Sequence, residues 1–311
     1  MKTVLLCPGQ GAQRVGMGKD LAERFPAARE VFEAVDEALK VGLSRLMFEG
    51  PEDELTRTHN AQPAILAHTL AAYAVVREAL NPFLGAGHSL GEYSAYAAAE
   101  ALSATDAARL VRRRGELMLE AGERRPGAMA AVIGLDGAEV AKICEGDSGD
   151  GRVVVAANFN TPDQTVISGD PEAVERASEH LKAVGAKRVL PLKVSGAFHS
   201  PLMEPAKVRL KAALEDIELR DPAFPVIANA TAEPVQDAAT ARTLLAEQVT
   251  APVRWVASME RAIREADDDA TFVEVGPGTV LSGLLRKIAR DATSVTLGTA
   301  EQVSAFVEQH A

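Results

Sequence analysis

Residues 85–102 read GAGHSLGEYSAYAAAEAL. Gly87, Ser89 and Gly91 form a G-x-S-x-G pattern between a short apolar run, PFLGAGH (82–88), and a stretch of strong helix formers. Strand, sharp turn and helix in that order lift a serine out at a helix N-terminus, where main-chain N–H groups favour negative charge. Five residues alone are a weak signal, because a serine that merely caps a helix after a turn gives the same pattern. The strand before and the helix after favour a nucleophile elbow, and with it an α/β fold around a mostly parallel sheet.

Upstream, TVLLC (3–7) reads as a buried first strand. Leu21, Phe25, Ala28, Phe32, Val35 and Leu39 step by three and four, which predicts a helix over 19–40. A second helix is expected over 63–80, with Pro63 in its first turn. Helices are expected after the elbow over 90–101 and 104–121. Beyond GERRPGA (122–128) the pattern changes. Strands are predicted at 128–134, 152–158, 164–169 and 187–193, with helices at 137–145 and 171–185. The order β-α-β-β-α-β is that of a ferredoxin-like unit. It predicts a small subdomain, 126–195, inserted into a large α/β-hydrolase-like domain made of 1–125 and 196–311. The large domain continues with a helix at 201–217, a strand at 224–230 and a helix at 240–265 broken at Pro252. A strand at 271–276, a helix at 278–290 and a strand at 294–298 complete it.

Composition narrows the class. The 311 residues include 33 basic and 44 acidic ones, for a net charge of −11, which argues against nucleic-acid and membrane-surface binding. Cys7 and Cys144 have no metal or redox spacing and fit a reducing compartment, so a cytoplasmic location is expected. The apolar stretch Val4–Cys7 is too short for the core of a signal peptide, and no apolar run reaches transmembrane length.

A serine hydroxyl needs a base. Of the six histidines, His180 lies on a charged helix and His310 in the tail, while His59 and His68 lie in or beside a helix. His88 adjoins Ser89 on a sharp turn and points elsewhere. His199, in VSGAFHSPLM, stands where the chain returns from the small subdomain, beside a cleft between the two units. It is the leading candidate. No acid is placed to orient it, so a main-chain carbonyl accepting its Nδ1–H is expected, giving a Ser–His dyad. Arg114 falls in the middle of an apolar helical stripe formed by Ala107, Leu110, Val111, Leu117, Met118 and Ala121. A buried guanidinium needs a partner: an internal acid, or a substrate carboxylate held bidentately. PGQGAQ (8–13) follows the first strand; its glycines allow close approach of a ligand, and Gln10 offers an amide donor. No cluster has metal-ligand spacing.

The motifs PGQGAQ, THNAQPA, GHSLGEYSA, Arg114-Gly115, GAMAAVIG, NFNTPDQTVISG, VSGAFHSPLM, EQVTAPVRW and EVGPGTVLSGL run in that order over nearly the whole chain. Together they closely resemble the malonyl-CoA:acyl carrier protein transacylases of type II fatty acid synthesis. The resemblance implies that Ser89 is acylated, that His199 is its base, and that the main-chain carbonyl of Gln248 orients His199. It implies an oxyanion hole from Gln10 and the N–H of Leu90, a malonyl carboxylate held by Arg114, and crowding of a 2-methyl branch by Phe198. The implied partners are malonyl-CoA and a holo acyl carrier protein, with no metal or redox cofactor. A monomer is the expected state.

Two other classes compete. A serine esterase or thioesterase would place several strands before the elbow and its histidine near the C-terminus; here 19–80 reads as helical and 112 residues follow His199. A non-catalytic carrier-docking scaffold has no use for Ser89, His199, Gln10 and Arg114 together. The carrier could serve fatty acid or polyketide synthesis. Docking between two acidic proteins needs a local basic patch, for which Lys187, Arg188, Arg286, Lys287 and Arg290 are the candidates.

Overall fold

The computed structural model describes residues 2–194, 196–266 and 270–310. Ser195 of VSGAFHSPLM lies outside them. In chain order the described strands are β1 (Lys2–Cys7), β2 (Leu84–Gly87), β3 (Ala128–Ile133), β4 (Val154–Thr161), β5 (Gln164–Gly169), β6 (Arg188–Pro191), β7 (Val226–Ile227), β8 (Pro234–Val235), β9 (Ala270–Val275) and β10 (Thr293–Leu297).

They form two sheets. The larger runs in the order β10-β9-β1-β2-β7-β8. Its first five strands are parallel, and β8 returns antiparallel beside β7. Central β1 has Val4, Leu5, Leu6 and Cys7 wholly buried, as a strand covered on both faces requires. Among the described residues only β1 precedes the elbow strand β2; the chain between them is helical.

The helices depart from the sequence reading where proline acts. The predicted 19–40 helix is two, Lys19–Arg24 and Pro26–Leu39. Pro26 keeps Phe25 extended at φ −120° and ψ 117°, outside the helical region. The helix expected to begin at Pro63 begins at Thr58, with Pro63 inside it. That position forfeits one ladder hydrogen bond, in a helix otherwise held by burial of nearly every side chain from Asn60 to Ala72. The strand expected over 224–230 is only Val226–Ile227. The predicted 240–265 helix is Ala238–Glu247 and Trp255–Ala266, separated by a seven-residue loop, 248–254, that matters below.

The smaller sheet is antiparallel, in the order β4-β5-β3-β6. Helices Gly137–Asp147 and Pro171–Ala183 cover one face, burying Val132, Val140, Val154, Ile167 and Leu181 in a core of its own. Met129, Ala131 and Val166 on the strands join the core of the larger body instead. Strand β4 is also bonded directly to that body: Val253 donates to the Ala157 carbonyl at 2.8 Å, and Phe159 donates to the Val253 carbonyl at 2.9 Å. A cavity lies between the two sheets.

Candidate active site

Ser89 sits between β2 and the helix Leu90–Ala98 with φ 53° and ψ −108°. A positive φ in a non-glycine residue is strained, and the turn must be held from outside. Two glycines let it close. A Cβ on Gly87 would lie 1.9 Å from the Gly91 carbonyl carbon, and one on Gly91 would lie 2.1 Å from the Cys7 oxygen of β1. Asn229 fastens the turn: its Oδ1 accepts from the Ser89 N–H at 2.7 Å, and its Nδ2 donates to the Gly87 carbonyl at 2.7 Å.

The Ser89 hydroxyl lies 2.8 Å from Nε2 of His199. On the other side of the ring, Nδ1 lies 2.9 Å from the Gln248 carbonyl oxygen and 3.2 Å from that of Ala251. Carbonyl oxygens only accept, so Nδ1 carries the hydrogen and Nε2 turns its lone pair towards Ser89. Burial, and then the nearby Arg114 charge, push the His199 pKa down to about 3. The ring is therefore neutral near pH 7 and free to take a proton. No carboxylate touches it: the orienting group is main chain, from the loop 248–254.

Arg114, on the helix Ala104–Arg124, is 1% exposed. Its stripe neighbours Ala107, Leu110, Val111, Leu117, Met118 and Ala121 are buried with it. Nη1 donates to Gln62 Oε1 at 2.7 Å. Nη2 donates to Gln248 Oε1 at 2.9 Å and to the Ser89 hydroxyl at 3.0 Å. The guanidinium also lies over the Tyr93 ring, 5.3 Å from its centre. These hydrogen-bond partners are neutral, and Nε is buried without one. The internal acid offered as an alternative partner makes no direct contact: the buried Glu92 carboxylate acts on Arg114 through space, with Gln248 hydrogen-bonded to both.

The cavity in front of Ser89 holds about 340 Å³ and is lined by Gln10, Leu90, Arg114, Phe198 and His199, with Met118, Met129 and Val166 giving it an apolar wall. Gln10 turns its Nε2 to Thr58 Oγ1 at 3.3 Å. Leu90 opens the elbow helix. All seven residues singled out in the sequence therefore converge, Gln248 through its carbonyl behind the base. His88 lines the cavity too, with Nε2 2.8 Å from Asn160 Oδ1 on β4. Of the basic candidates Lys187, Arg188, Arg286, Lys287 and Arg290, none lines the cavity. Sequence reasoning missed Gln62, Glu92 and Asn229. Gln62 and Glu92 carried the signal that exposed Arg114, a polar residue among apolar helical neighbours; Asn229 carried none.

A serine hydroxyl, a neutral imidazole and a buried guanidinium thus face one cavity, an arrangement that can move an acyl group through a serine ester. The description Acyl transferase domain matches residues 4–309. The chain belongs to that family. It is 44% identical over 308 residues to the malonyl CoA-acyl carrier protein transacylase of Bacillus subtilis, covering 99% of this chain and 96% of that one. It is 41% identical over 307 residues to the Staphylococcus aureus protein of the same name, covering 99% of each. Among solved structures, an acyl-carrier-protein-S-malonyltransferase from Bartonella henselae is 45% identical with a TM-score of 0.93, covering 99% of both chains. A malonyl-transacylase in complex with its type II PKS acyl-carrier protein is 39% identical with a TM-score of 0.94, covering 99% of this chain and all of that one. As a member of this family the protein is an acyltransferase.

Proposed function

We propose that the protein transfers malonyl from malonyl-CoA to the phosphopantetheine thiol of a holo acyl carrier protein, through a malonyl ester on Ser89. The observation that carries this reading is Arg114: a buried cation with neutral partners and a free Nε, 3.0 Å from the nucleophile. A carboxylate is the ligand that completes it, and bidentate binding is the guanidinium's strongest mode. With that carboxylate fixed, the thioester carbonyl at the other end of a three-carbon acyl group reaches Ser89.

In the first half-reaction His199 Nε2 takes the Ser89 proton as Oγ forms its bond to the thioester carbon. The carbonyl oxygen becomes an oxyanion facing the Leu90 N–H and Gln10 Nε2. The carbon–sulfur bond then breaks, and His199 returns the proton to the CoA thiolate. The second half-reaction is the reverse, with the carrier thiol giving its proton to His199 and its sulfur to the malonyl carbon. Serine, imidazole and thiol close the proton balance, so the proposal includes no metal or redox cofactor. Phe198, on the cavity wall, is the residue we assign to limiting a 2-methyl branch. We further propose a cytoplasmic monomer that docks its carrier through local basic residues.

Intact-mass spectrometry tests the reading. The wild type should gain one malonyl group from malonyl-CoA and lose it again on addition of holo carrier, and Ser89→Ala should gain none. A malonyl adduct on folded Ser89→Ala, or release of free malonate in place of transfer, contradicts it.

A further inference from the structure

Glu92 is a fully buried carboxylate, the third residue of the elbow helix, and the acyl transfer above assigns it no role. Its Oε2 accepts two hydrogen bonds, from the Gln248 side-chain Nε2 at 2.7 Å and from the Asn229 main-chain N–H at 2.9 Å. Its Oε1 is buried with no partner. An unpartnered buried carboxylate oxygen is costly, so stability alone is a poor account of it.

The geometry around Gln248 supplies a better one. Its Nε2 has two hydrogens, one donated to Glu92 and the other to the Ser89 carbonyl at 2.9 Å. With both spent on acceptors, Oε1 must face the other way, and it receives Arg114 Nη2. A flipped amide would press its NH₂ against the guanidinium. The same residue's main-chain carbonyl holds His199. Gln248 thus touches base and cation at once, and Glu92 decides how Gln248 is seated. Through the Asn229 N–H, Glu92 also steadies the side chain that fastens the Ser89 turn.

We propose that Glu92 is a positioning residue: through Gln248 it fixes both the carbonyl that orients His199 and the amide oxygen that aims Arg114, so that catalysis and carboxylate recognition share one anchor. This rests on the roles given above to Ser89, His199 and Arg114. Burial, opposed by the two hydrogen bonds and by Arg114, lifts the carboxyl pKa to about 7, which accords with a group held for its geometry against the cost of its charge.

Kinetics of Ser89 acylation by malonyl-CoA and acetyl-CoA test it, with the wild-type malonyl adduct measured first as the separate test of the underlying reading. Glu92→Ala should lower kcat/KM for both donors by roughly tenfold or more and lower the malonyl-to-acetyl ratio by at least about threefold. Glu92→Gln keeps an acceptor oxygen for Gln248 and should restore most of both. Gln248→Ala keeps the main-chain carbonyl, and in that background Glu92→Ala should leave the malonyl-to-acetyl ratio within about twofold, because partners in one network are not additive, while loss of the Asn229 contact slows both donors alike. A purely structural Glu92 would lower the melting temperature and leave the ratio unchanged. An unchanged ratio, an undiminished fall of the ratio in the Gln248→Ala background, or a Glu92→Gln as poor as Glu92→Ala each overturns the proposal. Should Glu92→Ala not fold, Glu92→Asp decides: its carboxylate is one methylene short of Gln248, so a lowered ratio supports the shared anchor and an unchanged one refutes it.

Discussion

Arg114 is held in place by neutral oxygens: Gln62 and Gln248 amides and the Ser89 hydroxyl. None of them is charged, and Glu92 acts on Arg114 without touching it, so in the proposed reaction the guanidinium serves as the receptor for an anion. Truncating it to alanine should change which acyl group is loaded. Malonyl loses charge-assisted hydrogen bonds worth about 1.5–3 kcal/mol, or roughly 10–150-fold, while acetyl has no carboxylate to lose. The malonyl-to-acetyl ratio of kcat/KM for Arg114→Ala should therefore fall by at least about tenfold. Equal decline of both donors, with an early melt, would make Arg114 a scaffold residue. Its burial was legible in the sequence because six apolar neighbours shared its helical stripe. What it binds was not, since a stripe does not reveal whether the partner is an internal acid or a ligand. Gln248 was reachable only by resemblance: its decisive atom is a main-chain carbonyl, which every residue has.

The elbow is an element-scale device, and its glycines can be tested against one that does nothing comparable. Gly91→Ala would put a methyl 2.1 Å from the Cys7 oxygen, prising the elbow helix away from β1. A displacement of about 1 Å at a nucleophile costs about 10²-fold, so acylation should fall by that order. Gly283, in the helix Val280–Ile288, has open space where its Cβ would stand. Gly283→Ala should leave acylation unchanged and stabilise by roughly 0.5–1 kcal/mol, as alanine does in helix interiors. Equal activity of Gly91→Ala and wild type would refute the close-approach argument. Strand–turn–helix at 82–101 was readable because periodicity, glycine spacing and helix formers agreed. The 19–40 helix was overextended because its apolar periodicity runs straight through Pro26, while the backbone obeys the proline. FPVIANA has the composition of a long strand, yet only two residues pair, because the Asn229 side chain and main chain are committed to the elbow and Glu92.

At the scale of the whole molecule, two buried histidines contribute to the acid side of stability. His68 bonds the Gly298 carbonyl at 3.0 Å across 230 residues of chain, and burial pushes its pKa down to about 4. Both His68 and His199 have folded pKa values below the ordinary 6.5, so the unfolded chain binds more protons. Their contribution is complete above pH 6.5 and is lost as pH falls towards 4 and 3. Glu92, raised from 4.5 to about 7, works oppositely: its contribution is complete below 4.5 and is lost as pH rises through 7. His68→Gln should therefore flatten the fall in urea-unfolding free energy between pH 6.5 and 4.5 by up to about 1.36 kcal/mol per pH unit. Identical slopes in the two proteins would contradict a neutral buried His68. The small sheet's order follows from its β-α-β-β-α-β pattern, but the order β10-β9-β1-β2-β7-β8 does not, because parallel pairing joins strands far apart in sequence. One such long-range pairing carries a load. Ala157 and Phe159 of β4 grip Val253, two residues beyond Ala251, and Gln248 and Ala251 supply the carbonyls that hold His199. The small sheet is thus a splint on His199. A push delivered to it from outside, by a rigid fusion in the Pro162 turn, arrives as the twist of an imidazole, and acylation slows although neither Ser89 nor His199 is touched.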